Sequence, residues 1–140
     1  MERLANRHYR LGWSALALFV LVGLLLEGLH GWKAGFYLDA DAAVRREMWT
    51  LAHAHGAGIA LVQLVFAAWL ERRASFRLAA LASELLRLAL VLVPLGFFLG
   101  GLVPGRTDPG AGVWLVPIGA ACLFVATAMI AREALAARSP

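Results

Sequence analysis

The sequence predicts an all-α integral membrane protein, a four-helix bundle with both termini on the cytoplasmic side. Three observations carry this expectation. First, 61% of the 140 residues are hydrophobic and 16% are charged, with a mean hydropathy of +0.74. A soluble domain is about 45–50% apolar and about 25% charged, and one of this length could not bury so much apolar surface. That argues against a soluble enzyme or a nucleic-acid binder. Second, the apolar residues fall into four runs, each near the roughly 20 residues that a span needs. Third, the basic residues favour alternate connections. The four runs fill the chain and make residues 1–140 a single transmembrane domain.

The first span is expected at about 11–32. Its opening, MERLANRHYR, imitates a signal peptide. The apolar run is too long for a signal h-region and has no evident A-x-A cleavage site, so it should remain as an anchor. The second span is expected at about 50–70. Before it, Asp39 or Asp41 should cap a helix through 42–49 that continues into the span. The third span is expected at about 78–103. Its Gly96 and Gly100 form a GxxxG pair suited to packing within the bundle or to a dimer face. The fourth span, about 112–131, follows a Pro/Gly turn, VPGRTDPGAG. Pro94 and Pro117 should kink the last two spans, since membrane helices tolerate proline. Each run is a helix rather than a barrel strand, because period-2 alternation is absent.

Orientation follows from charge. Arg3, Arg7, Arg10, Arg72, Arg73, Arg77, Arg132 and Arg138 lie at one side, with Glu2, Glu71 and Glu133. At the other side Lys33, Arg45, Arg46 and Arg106 are balanced by Asp39, Asp41, Glu47 and Asp108. The positive-inside rule then places both termini in the cytoplasm of a bacterial inner membrane. Trp13 and Trp69 fall at the inner interface, and Trp32, Trp49 and Trp114 at the outer one, as an aromatic belt requires.

Chemistry concentrates near the outer end. Three of the four histidines, His30, His53 and His55, lie there with Glu27, in EGLHGW and LAHAHGAG. Relative to Trp32, His30 lies ~3 Å deeper and Glu27 ~7.5 Å deeper at 1.5 Å per residue. Relative to Trp49, His53 lies ~6 Å and His55 ~9 Å deeper by the same rise. Glu27 and His30 share a helix face, with the ExxH spacing that bundles use to present a carboxylate and an imidazole to a metal. His53 and His55 point nearly opposite ways, because two residues turn a helix by ~200°. His53 heads a stripe of Ala57, Ala60 and Ala67 and so should face the interior. Gly28, Gly31, Ala52, Ala54 and Gly56 should leave room around the imidazoles. His8 is placed in the cytoplasmic tail.

Imidazole suits zinc, copper and iron, and a pair of histidines on facing helices can also grip a haem b iron. Arg45 and Arg46 would then pair with haem propionates. The expected metal ligands are Glu27, His30, His53 and His55. The expected cofactor contacts are His30, His53, His55 and Arg46. A redox role is one use of such a site. Glu27, His30 and His53 could instead form a structural hydrogen-bonded network, as ionisable groups in a span are usually partnered. Elsewhere, Glu84 and Arg87 should form a local ion pair. Gln63 should bond another helix, Thr127 and Ser14 their own backbones, and Cys122 should pack.

The HAHG segment at 53–56 resembles that of small uncharacterised four-span bacterial membrane proteins with an HxH pair opening the second span. The pair is also similar to the HxH of haem–copper oxidase catalytic subunits, where the two histidines serve different haems on opposite sides of a helix. That resemblance implies a two-sided role for His53 and His55. This chain has four spans rather than twelve and lacks the other histidines that family needs, so it does not imply oxidase activity. Beside a metal or haem protein, two further readings stand. One is a non-catalytic subunit or assembly factor of a larger membrane complex, or a homo-oligomer. The other is a small transporter or proton carrier, for which only Gln63 lies between the outer cluster and Glu84.

Overall fold

A computed structural model describes residues 1–105 and 107–136. Arg106 and Arg138, counted above for orientation, lie outside the described residues. The described chain is helical, without strands. Helix α1 spans Glu2–Gly31, the short α2 spans Gly35–Leu38, and a 3₁₀ turn covers Ala40–Ala42. Helix α3 spans Ala43–Glu71 and α4 Ala79–Leu102. A second 3₁₀ turn, Ala111–Trp114, leads into α5, Leu115–Ala136. The four long helices are long and apolar enough to cross a membrane. Even α5, with 22 residues, is ~33 Å long, against a hydrocarbon core of about 30 Å.

Helix α4 lies within one residue of the expected 78–103 at each end, whereas α5 starts three residues later and runs five residues further than the expected 112–131. Helix α1 begins well before Leu11, because Ala5, His8 and Gly12 form a buried stripe at helical spacing. Helix α3 does run unbroken from Ala43 through the whole of the expected second span. No aspartate caps it, however: its N-cap is Ala42, and Asp39 makes no capping bond at the 3₁₀ turn. Pro94 lies inside α4 without interrupting it. Pro117 is the third residue of α5. It sits in the first turn, where its missing N–H breaks no intrahelical bond, so the kink expected of it has no cause there. Helix α1 ends in a Schellman motif. Ala34 N–H donates to Leu29 O and Lys33 N–H to His30 O, with Lys33 at φ 52° where glycine is usual.

The helices pack in chain order, α1 on α3, α3 on α4 and α4 on α5. Helix α1 touches α4 only slightly, and among the described residues no contact joins α1 to α5. The bundle is therefore open, with α1 and α5 at its edges. Small residues set the close approaches, as they do where helices meet in lipid. Gly12 of α1 receives Leu64 of α3, and Gly56 of α3 receives the ring of Phe19. Gly96 receives Val116, and Gly100 faces Val113 and Pro109. The GxxxG pair is thus occupied inside the chain. The outward faces stay apolar, with Leu24 68% and Phe124 72% exposed, as lipid contact requires and water would penalise. Trp13, Trp32 and Trp114 are exposed, as the expected belt requires. Trp49 and Trp69 are not: each stacks inside the chain, on Tyr37 and Phe98 and on Phe66 respectively.

His8 does not sit in a tail. It is fully buried with Gln63 of α3 and Ser83 of α4. Gln63 Nε2 donates to Leu86 O at 2.8 Å, which leaves its Oε1 to accept from His8 Nδ1. His8 Nε2 meets Ser83 Oγ at 2.8 Å, and its ring stands edge-on to Phe66. Around this node, Tyr9 donates to Glu71, and Arg7 joins the expected Glu84–Arg87 pair. Replacing His8 by alanine leaves two buried polar groups unpartnered and should cost about 1–3 kcal/mol of stability. The triple variant His8→Leu, Gln63→Leu, Ser83→Ala should recover most of it. Thermal unfolding in detergent checks both; a triple variant less stable than the single would refute the assignment.

Candidate functional site

Glu27, His30 and His53 do line one cavity of about 340 Å³, together with Tyr37 and Thr50. Antiparallel pairing of α1 and α3 brings them to the same end. His53 crosses the seam: its Nδ1 lies 2.6 Å from Phe19 O on α1. Gly23 makes this possible. A Cβ at residue 23 would lie 2.9 Å from both ring nitrogens of His53. In a helix the side chain at i+4 shields the carbonyl at i, so glycine at 23 opens the carbonyl of 19. The room for an imidazole thus comes from Gly23 and not from the glycines beside His30. Gly28 faces Trp32, and Gly31 faces nothing.

His30 bonds its own helix, with Nδ1 3.2 Å from Leu26 O. A carbonyl oxygen only accepts, so Nδ1 of His30 and of His53 carries the proton. In the neutral ring each Nε2 keeps a free lone pair. Glu27 is exposed at the rim.

Two expected members stand elsewhere. His55 faces α4, with its ring 4.9 Å from that of Phe97 and its Nδ1 bonded to Leu51 O. The two-residue spacing thus parts it from His53. Arg46 donates to Tyr37 O and Leu38 O, which holds the outer loop down. Its neighbour Arg45 reaches Phe36 O and the carbonyls of Gly101 and Leu102 at the end of α4. There a cation complements the helix dipole. Both guanidinium groups are engaged with carbonyls.

Tyr37 is the member that the sequence did not reveal. It lies in α2, within a segment that reads as a connection. It is fully buried, and among the described residues its hydroxyl is the one buried side-chain polar atom without a hydrogen-bond partner. Its ring stands edge-on to His30 at 5.1 Å and stacks on Trp49 at 6.2 Å, and Trp49 stacks on Phe98. This aromatic row ties α1, α2, α3 and α4 together beside the cavity. The one available signal was an aromatic with a polar tip in FYLD, between two helix ends.

Among the described residues no group of three or more His, Cys, Asp or Glu side chains is placed to hold a metal ion. No protein-family model, curated protein or solved structure matches the chain.

The His53–Gly23 seat makes a sign-dependent prediction. Gly23→Ala should destabilise by about 1–3 kcal/mol through loss of the His53–Phe19 bond. In a His53→Ala background the same change should stabilise by about 0.5–1 kcal/mol, the helix advantage of alanine over glycine. Thermal shifts of the four proteins read the difference, and an equal effect in both backgrounds would disprove the seat.

Proposed function

We propose that this chain is a multi-pass protein of the bacterial inner membrane that binds a divalent transition-metal ion at its periplasmic end. Both termini lie in the cytoplasm on this reading. The ion is held by Nε2 of His30 and His53, with water completing its shell and Glu27 adding negative charge at the rim. The excess of arginine at the termini and at 72–77 supports the orientation.

One observation carries the site. Two imidazoles, each anchored through Nδ1 to a carbonyl and each with Nε2 unbonded, line one cavity with Glu27. A ligating histidine usually gives its other N–H to a carbonyl or carboxylate, which fixes the ring and raises ligand basicity. Closed structural zinc sites use four protein ligands. Two imidazoles and an exposed carboxylate suit instead an ion that exchanges. The haem alternative lacks a free arginine at Arg46, and His55 belongs to neither version of this site.

Titration of detergent-purified protein with Zn²⁺ or Cu²⁺ should give one ion per chain. His30→Ala and His53→Ala should each weaken binding by at least about tenfold, as loss of a ligand does. His55→Ala should leave binding unchanged. Equal losses for His53→Ala and His55→Ala, or no binding, would overturn the reading. A Soret band lost on His53→Ala would replace the metal ion by haem.

A further inference from the structure

The gap between α1 and α4 is not uniform. At the end near the chain terminus it opens as a cavity of about 440 Å³ lined by Arg3, Asn6, Arg7, Arg10, Leu11 and Arg87. Leu11 and Arg87 also line the next cavity, about 240 Å³, with Glu84 at its cationic end and Leu88, Leu90 and Val91 beyond. Leu90 and Val91 in turn line a third, about 550 Å³, with Leu18, Val22, Pro94 and Phe98. Shared walls make these one groove, cationic at one end and apolar beyond it.

We infer that this groove holds one anionic phospholipid, with its phosphate among the arginines and an acyl chain along α1 and α4. Charge is the first argument. Arg7 and Arg87 share the single carboxylate of Glu84. Among the described residues Arg3 and Arg10 pair with none. Four guanidinium groups against one carboxylate leave a surplus that a zwitterionic headgroup does not match. Arg3, Arg7 and Arg10 stand on one face of α1, and guanidinium binds phosphate in a bidentate manner. Length is the second argument. Leu11 to Val22 covers ~16 Å at 1.5 Å per residue, close to the ~15 Å of one hydrocarbon leaflet. The cationic end therefore lies at headgroup depth and the apolar part at chain depth. The groove persists because α1 and α4 meet closely at His8 and hardly elsewhere.

The inference rests on the reading that the helices cross a bilayer, which membrane fractionation tests alone: protein recovered as a soluble species would end that reading first. The protein is then reconstituted in mixed phosphatidylglycerol and phosphatidylethanolamine, extracted in mild detergent, and weighed intact by native mass spectrometry. One retained phosphatidylglycerol per chain is expected. Arg3→Gln with Arg10→Gln should cut its retention on the order of tenfold, because each arginine near an anionic headgroup contributes appreciably. Arg3→Lys with Arg10→Lys should largely keep it. Val91→Trp, on an exposed position where two cavities join, should displace the lipid with all arginines present. Equal retention of both lipids by the unmodified protein would overturn the inference. So would indifference to the glutamine pair or to Val91→Trp, or displacement of the lipid by glycerol phosphate at equal concentration.

Discussion

Both nitrogens of a buried imidazole need partners, and at His8 they find them only where three helices meet at one level. Helix α1 supplies the ring, α3 the Gln63 carbonyl and α4 the Ser83 hydroxyl. A slide of one residue along α1 moves the ring by ~1.5 Å and turns it by ~100°. Either change breaks both bonds in a place without water. Interhelical hydrogen bonds in lipid average only about 0.6 kcal/mol in double-mutant cycles. The larger effect is therefore discrimination against wrong registers, which strand polar groups. The surrounding pairs follow from this register: Gly12 opposite Leu64, Phe19 opposite Gly56, and Gly23 opposite His53.

The cavity that His30 and His53 line is the far end of the same seam. His53 reaches the Phe19 carbonyl because the α1–α3 register places Gly23 beneath its ring. The outer loop is then pulled down by Arg45 and Arg46, whose guanidinium groups gather carbonyls from α2 and α4. That brings Tyr37 between His30 and Trp49. The four histidines thus divide by surroundings. His8 joins helices; His30, His53 and His55 each bond a carbonyl through Nδ1, but His55 packs on Phe97 while His30 and His53 line one cavity.

Much of this was legible in the sequence. Apolar runs located the four helices, and helical spacing foretold that His53 and His55 diverge, that Glu84 pairs with Arg87 and that Gln63 bonds another helix. The failures share a cause. Hydropathy ended the first span at Leu11, because Arg7, His8 and Arg10 look like water-facing residues. Only the Ala5–His8–Gly12 stripe says otherwise, and it needs a partner helix to be recognised. Tyr37 was passed over because burial of a loop residue depends on how the loop folds back. Arg46 was read as an anion contact because a sequence does not reveal which carbonyls a helix end leaves open. The α1–α4 groove follows from which helices are neighbours, and that is a tertiary fact.

The division of labour among the histidines can be measured in one experiment, ¹⁵N NMR of the imidazoles in histidine-labelled protein, before and after Zn²⁺. The account predicts Nδ1–H tautomers at His30 and His53, and Zn²⁺-induced movement of the Nε2 signals of these two alone. The signals of His8 and His55 should stay in place. Movement at His8 or His55 instead, or Nε2–H tautomers at His30 and His53, would contradict it.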